Sequence, residues 1–157
     1  MKAITILQPW ASLIACGAKT IETRSWSTQY RGKIAIHAGT GKQFLSLAFK
    51  EPFFSTLFDN ADKSCSCSFL RDRFVLGKVI AIADLVDCVM MDSFNLNKFN
   101  EVNGAWLVNG DFVEGNELAF GDYTPGRYAW ILKNVQAIKP VAAKGMQRLW
   151  NWDSEAI

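Results

Sequence analysis

Lys19, Glu22 and Arg24 stand within six residues of one another, in the run Gly17-Ala18-Lys19-Thr20-Ile21-Glu22-Thr23-Arg24. An ammonium, a carboxylate and a guanidinium this close support more than one chemistry. The carboxylate accepts from amino groups, and the guanidinium offers a two-pronged donor to carbonyl or phosphate oxygens. In an enzyme, Lys19 would serve as base or electrostatic stabiliser and Glu22 as general acid/base. The same three side chains can equally form a structural ion cluster. On a strand, Glu22 and Arg24 leave from one face and Thr23 from the other. Lys19 follows a helix end, so its ammonium is expected at the mouth of the cleft and not fully buried.

His37 is the only histidine. In the strand pattern of Lys33 to Ala38 it alternates with Ile34 and Ile36, which points it toward the cleft as a ligand or acid/base group. A satisfied, half-buried structural histidine fits the same pattern. Trp26 follows the charged cluster directly and can stack a base; Trp10 and Trp130 can do so too, or all three can belong to the core. Four cysteines are present, and only Cys65 and Cys67 are close in sequence. No second pair follows at zinc-ribbon spacing, so neither a metal site nor another cofactor is expected.

The elements that must position these residues follow from the pattern. Ala3 to Leu7 is an apolar strand. Gln8-Pro9 opens a short helix over 9–17, whose apolar face is Trp10, Leu13, Ile14 and Gly17, with Gly17 as its cap. Residues 20–26 and 33–38 alternate as strands. Gly77 to Cys88 is the longest apolar strand, and residues 92–102 read as a weak helix. Asn103-Gly104 and Asn109-Gly110 signal turns. Tyr128 to Val135 is a strand, and Ala137 to Ala142 is a further one. Residues 42–74 differ in character: seven of the eleven phenylalanines fall there, as a helical flap with a mobile loop over 61–68. The tally is five to seven strands with two to four helices, mostly joined by short loops, which predicts an α+β fold built on a small barrel rather than a doubly wound sheet.

The chain has 157 residues, half of them hydrophobic and 20% charged, with a net charge of +2. That composition excludes a disordered chain, and the length fits a single domain over 1–157 with the Phe-rich elaboration at about 42–74. No apolar run is long enough to span a membrane. The start lacks a signal-peptide pattern, so a cytoplasmic location is expected. Charge is unevenly placed. Residues 1–42 carry six bases and one acid, residues 84–122 eight acids and one base, and residues 123–148 five bases and no acid. If the basic ends converge, they form a face suited to a phosphate-bearing partner.

The motif Gly17-x-Lys19-x-x-Glu22-x-Arg24 resembles the Gly-x-Lys-x-x-Glu-x-Arg pattern of the ASCH domain, within the PUA-like superfamily. Gln8-Pro9-Trp10-Ala11, Ser25-Trp26, the run Arg31 to Ala38, Gly126-Arg127-Tyr128-Ala129-Trp130 and Gly145 to Trp150 are similar too. The resemblance covers nearly the whole chain and is weakest at 44–74. It implies a small PUA-like β-barrel with flanking helices, and a cleft lined by the motif. The ligand implied is RNA or a nucleotide or nucleoside, plain or modified, held by Lys19, Glu22, Arg24, Trp26, His37 and Arg127. Some members of the family are nucleases or amidohydrolases. The amidohydrolase branch acts on N4-acetylcytidine through a Lys, a Thr and a Glu. Lys19 matches its lysine, but Glu22 stands where its threonine falls. Two function classes follow: a nucleic-acid-related binding module, and a hydrolase of RNA or of a modified nucleoside.

Overall fold

The computed structural model describes residues 1–59 and 74–153. The expected loop over 61–68, with Cys65, Cys67 and Phe69, lies outside the described residues. Two compact units share the chain. The first takes residues 1–18, 33–84 and 134–157; the second takes residues 19–32 and 85–133.

In the first unit, β1 (Lys2–Ile6) is followed by helix α1 (Trp10–Ala15). Gly17, at φ +78°, ends the helical stretch in a conformation that costs glycine nothing. β3 (Gly32–Ala38) pairs with β1 in parallel, His37 opposite Thr5. β8 (Leu149–Asn151) pairs with the other edge of β1, antiparallel. Ala3, Ala35, Val79, Trp150 and Trp152 make one core cluster here. Of the expected flap, Leu45–Phe49 is a 3₁₀ turn and Ser55–Asp59 a wider single turn. Pro52 sits between them, where it cannot continue a helix. Trp10 meets Phe44 and Phe53 edge to face, at 5.2 and 6.4 Å.

In the second unit, β2 (Ile21–Arg24) pairs antiparallel with the start of β7 (Tyr128–Ala142), Glu22 opposite Trp130 and Arg24 opposite Tyr128. β4 (Lys78–Leu96) and β7 each contribute residues to both units. β5 (Val102–Leu107) pairs with the later part of β4, and β6 (Phe112–Val113) with β5. A five-residue helix, α2 (Gly115–Ala119), follows β6. The core holds Val89, Met91, Ala105, Leu107, Val113, Tyr123 and Ala129, with Ile21, Leu118 and Ile131 packed on it.

The architecture is mostly sheet with few, short helices, as the α+β expectation has it. The expected closed barrel is a different matter. Among the described residues the hydrogen-bonded order is β2-β7-β4-β3-β1-β8, a path with two ends. Closure would need the short terminal strands, of four and three residues, to pair on a second side. Three local expectations also change. Residues 92–96 continue β4 rather than forming a helix, and register shifts at Met91/Ser93 and Asn95/Leu96 account for the broken alternation. β7 is one strand over both predicted ones, with Asn134 at φ +50°. Asn103-Gly104 lies inside β5, not at a turn, while Gly110 at φ +90° does turn the chain toward β6. Among the described residues no helix is long and apolar enough to cross a membrane.

Gly104 is in β5 because a neighbour needs its space. A Cβ there would lie 2.0 Å from Cζ of Phe112, whose ring covers the glycine from β6. Gly104→Ala is therefore expected to push Phe112 outward and to cost about 1 kcal/mol, at the low end for overpacking because that ring is already partly exposed. Urea melts of Gly104→Ala and of Gly104→Ala with Phe112→Ala measure it; the second substitution should remove most of the clash.

Candidate functional site

β2 presents Glu22 and Arg24 on one face, as strand periodicity requires, and their side chains pair: Arg24 Nε lies 3.0 Å from Glu22 Oε1. Thr23 faces the other way, where its hydroxyl accepts from the Asp122 backbone N–H at 3.1 Å. Lys19 departs from expectation. It is only 1% exposed, among the largest fully buried side chains of the protein. Its ammonium donates to the Ile21 carbonyl and faces Glu117 Oε1 at 3.7 Å. The lysine stem reaches forward to the Ile21 carbonyl, so the charge ends inside the unit rather than at its mouth.

Glu117 is the partner that local sequence did not reveal. It sits in α2, ninety-seven residues from Thr20. Its Oε2 accepts from the Thr20 backbone N–H at 2.8 Å and from the Thr20 hydroxyl at 3.1 Å. Its Oε1 accepts from the Ile21 N–H at 3.2 Å. The buried Tyr123 hydroxyl lies 3.5 Å from the same oxygen. One carboxylate thus satisfies the entry to β2 and balances the lysine. An acidic residue in the predicted acidic stretch was visible, but nothing near it marked this one.

Burial pushes the Lys19 ammonium down from the ordinary lysine range. The Glu22 and Glu117 carboxylates oppose that shift, and Arg24 adds weakly to it. Tyr123 is pushed well above the usual phenol range, by burial first and by Glu117 second. The four charges Lys19, Arg24, Glu22 and Glu117 sum to zero. The cluster therefore offers donors and acceptors without a net field, which suits a neutral polar edge better than a phosphate.

Trp26 stands beside the cluster in sequence, and its ring packs edge to face on the buried Trp130 at 4.6 Å. Trp130 Nε1 donates to the Trp26 carbonyl at 3.3 Å. Arg127 pairs with Asp122 at 3.2 Å, and the Thr124 hydroxyl, then burial's opposition and Arg127, leave the Asp122 carboxyl below its usual range. All of these belong to the second unit. His37 belongs to the first, so the structure groups it with Thr5, Ala143 and Trp150 and not with the charged motif. It too is 1% exposed. Burial lowers its pKa, and the carbonyls of Ala143 and Gly77 partly oppose that.

The ASCH domain family model matches residues 4–142. Activating signal cointegrator 1 from Mus musculus is 24% identical over 160 residues, a match covering 97% of this chain and 22% of that protein. Activating signal cointegrator 1 from Homo sapiens is 25% identical over 153 residues, with the same coverage of 97% and 22%. The chain thus spans under a quarter of the length of the curated relatives it matches. The crystal structure of ASCH from Zymomonas mobilis superposes with a TM-score of 0.50 at 17% identity, covering 99% of this chain and 89% of that one.

Removing a buried cation strands its counter-ion. Lys19→Ala is expected to destabilise by about 2 kcal/mol, less than the 3–5 typical of a fully buried pair because Glu117 keeps some contact with water. Adding Glu117→Gln to Lys19→Ala should recover part of that loss in a double-mutant cycle of thermal melts. His37 gives a separate signal. Its folded pKa lies below the ordinary 6.5, so the unfolded chain binds more protons between the two values. Stability is expected to fall as pH drops from about 7 through that window, and to level off below the folded pKa. Melts across that range on the parent and on His37→Gln, which lacks the titrating ring, should show the slope only in the parent.

Proposed function

The chain belongs to the ASCH domain family, and from that premise we propose that it is a nucleic-acid-related binding module. The ligand is a nucleobase, plain or modified, free or in RNA, and its polar edge meets Glu22 and Arg24. From the resemblance the reading takes a PUA-like, barrel-derived scaffold and an association with RNA. The observation that carries it is the charge-balanced pair on β2: a carboxylate that accepts and a guanidinium that donates, 3.0 Å apart and partly exposed, backed by Lys19 and Glu117. A base edge carries amino donors and carbonyl acceptors side by side, which is the complement of that pair. Trp26 offers a ring for stacking. Phosphates of a strand fall to exposed bases such as Lys133, and to the half-buried Arg127.

A second reading is hydrolysis of RNA or of a modified nucleoside, and one observation favours it. A lysine whose ammonium is disfavoured by burial and opposed by nearby carboxylates is a common basis for proton transfer. Glu22 stands where the amidohydrolase branch has its threonine, so that branch's nucleophile is absent at that position.

Calorimetric titration with a panel of nucleosides and short single-stranded RNAs tests both readings, with the titrated material analysed by mass spectrometry. Binding is expected without turnover. Glu22→Gln and Arg24→Ala should each weaken it by about tenfold, or 1.4 kcal/mol. Nucleoside affinity should change little with salt, while RNA affinity should fall with a log-log slope of about 0.7 per phosphate engaged. Unchanged affinity in both variants rejects the binding reading; product that disappears with Lys19→Met establishes the hydrolase instead.

A further inference from the structure

We propose that the outer face of the β4–β5–β6 sheet is a docking surface for a basic segment of another protein, one in which apolar side chains alternate with arginine or lysine. This goes beyond the nucleobase reading and stands on different residues of the second unit. The opposite face of this sheet supplies Met91, Ala105, Leu107 and Val113 to the core. Strand alternation then sends their neighbours Met90, Trp106, Val108 and Phe112 outward. They adjoin one another there. Trp106 and Phe112 are cross-strand partners with ring centroids 4.5 Å apart, and the Val108 N–H donates to the Met90 carbonyl at 3.0 Å. Leu96 and Val102, a cross-strand pair farther along the hairpin, add to the exposed apolar surface. All six are between 37 and 54% exposed. Gly104 flattens the platform, since the Phe112 ring lies over the position its Cβ would take. Large apolar side chains grouped on one face and rimmed by polar groups mark an interaction surface, whereas scattered ones do not.

Charge decides between occupants. Asp92, Glu101, Asp111 and Glu114 are exposed acids within or beside these strands. Among the described residues none of the four has a cationic partner. Glu101 and Asp111 accept only from neutral groups, such as the side-chain amides of Asn97 and Asn109. Lys98 is the one base between residues 84 and 122, and its ammonium already lies over the Phe99 ring, 5.0 Å from the centroid. A second copy laid face to face on this sheet would bring two acidic rims together, and a nucleic-acid strand would meet the same repulsion. A basic segment meets neither. Its apolar side chains cover Met90, Val108 and the two rings, and its cations reach the carboxylates. An arginine of such a segment stacks on Trp106 as Lys98 does on Phe99.

Fluorescence anisotropy of labelled decapeptides titrated with the full chain tests this. A decapeptide of alternating leucine and arginine is expected to bind saturably, with an affinity that falls as salt rises. Decapeptides that alternate leucine with glutamate, or serine with arginine, lack the charge or the apolar side chains. Each is expected to bind about tenfold more weakly or worse. Trp106→Ala, and separately Asp111→Asn combined with Glu114→Gln, change exposed side chains, and circular dichroism checks that each variant keeps the fold. Each is expected to raise the Kd of the leucine-arginine peptide by about tenfold. Absence of saturable binding overturns the proposal, as does equal affinity for either control peptide or an unchanged Kd in both variants. A dimer in sedimentation equilibrium that Trp106→Ala dissociates, or oligouridylate binding that the same substitution abolishes, overturns it in favour of a second copy or of RNA.

Discussion

A lysine ammonium taken out of water must be met by charge and by hydrogen-bond acceptors, or it loses its proton or unfolds its surroundings. Lys19 imposes that condition on the whole second unit. The Ile21 carbonyl lies two residues along the same chain, but the counter-ion has to be brought from elsewhere, and α2 brings it. A helix of five residues has no stability of its own. It is held by Leu118 against the core and by Glu117, which binds two backbone N–H groups, a hydroxyl and the ammonium. The start of β2, the placement of α2 and the neutralisation of Lys19 are therefore one arrangement. Gly121 belongs to it as well: a Cβ there would lie 2.6 Å from Tyr123 and 2.8 Å from Thr23, so only glycine lets the chain pass from α2 to the tyrosine that faces Glu117.

How much of this was legible follows from range. The pairing of Glu22 with Arg24 was readable because it depends only on the two-residue period of one strand. The burial of Lys19 was not, because its cause lies in α2, far along the chain. His37 shows an intermediate case. Its alternation with Ile34 and Ile36 was correct, yet all three are buried. Ala35 and His37 are as buried as Ile34 and Ile36, so both faces of β3 are covered and alternation no longer separates inside from outside. The stretch at 92–104 failed for another reason. Asparagines and a glycine there look like breakers, but the bulged pairing of β4 with β5 tolerates them, and Gly104 serves a cross-strand ring rather than a turn. Such a contact has no signature in either segment alone.

Exposure within the charged cluster rises outward, and that order assigns roles. Lys19 is at 1%, Glu22 at 11%, Glu117 at 18% and Arg24 at 25%. A group approaching from solvent would meet the guanidinium and the two carboxylates before the ammonium. Lys19 would then act through Glu117, which its ammonium faces at 3.7 Å at the entry to β2. Direct participation in proton transfer would require the ligand to displace the Ile21 carbonyl from the ammonium, which breaks a bond at the start of β2. Because the same carbonyl belongs to the strand that presents Glu22 and Arg24, any movement that frees Lys19 also shifts that pair. Proton transfer by Lys19 and the proposed recognition by Glu22 and Arg24 are therefore mechanically opposed, and catalysis would need a conformation in which β2 begins differently.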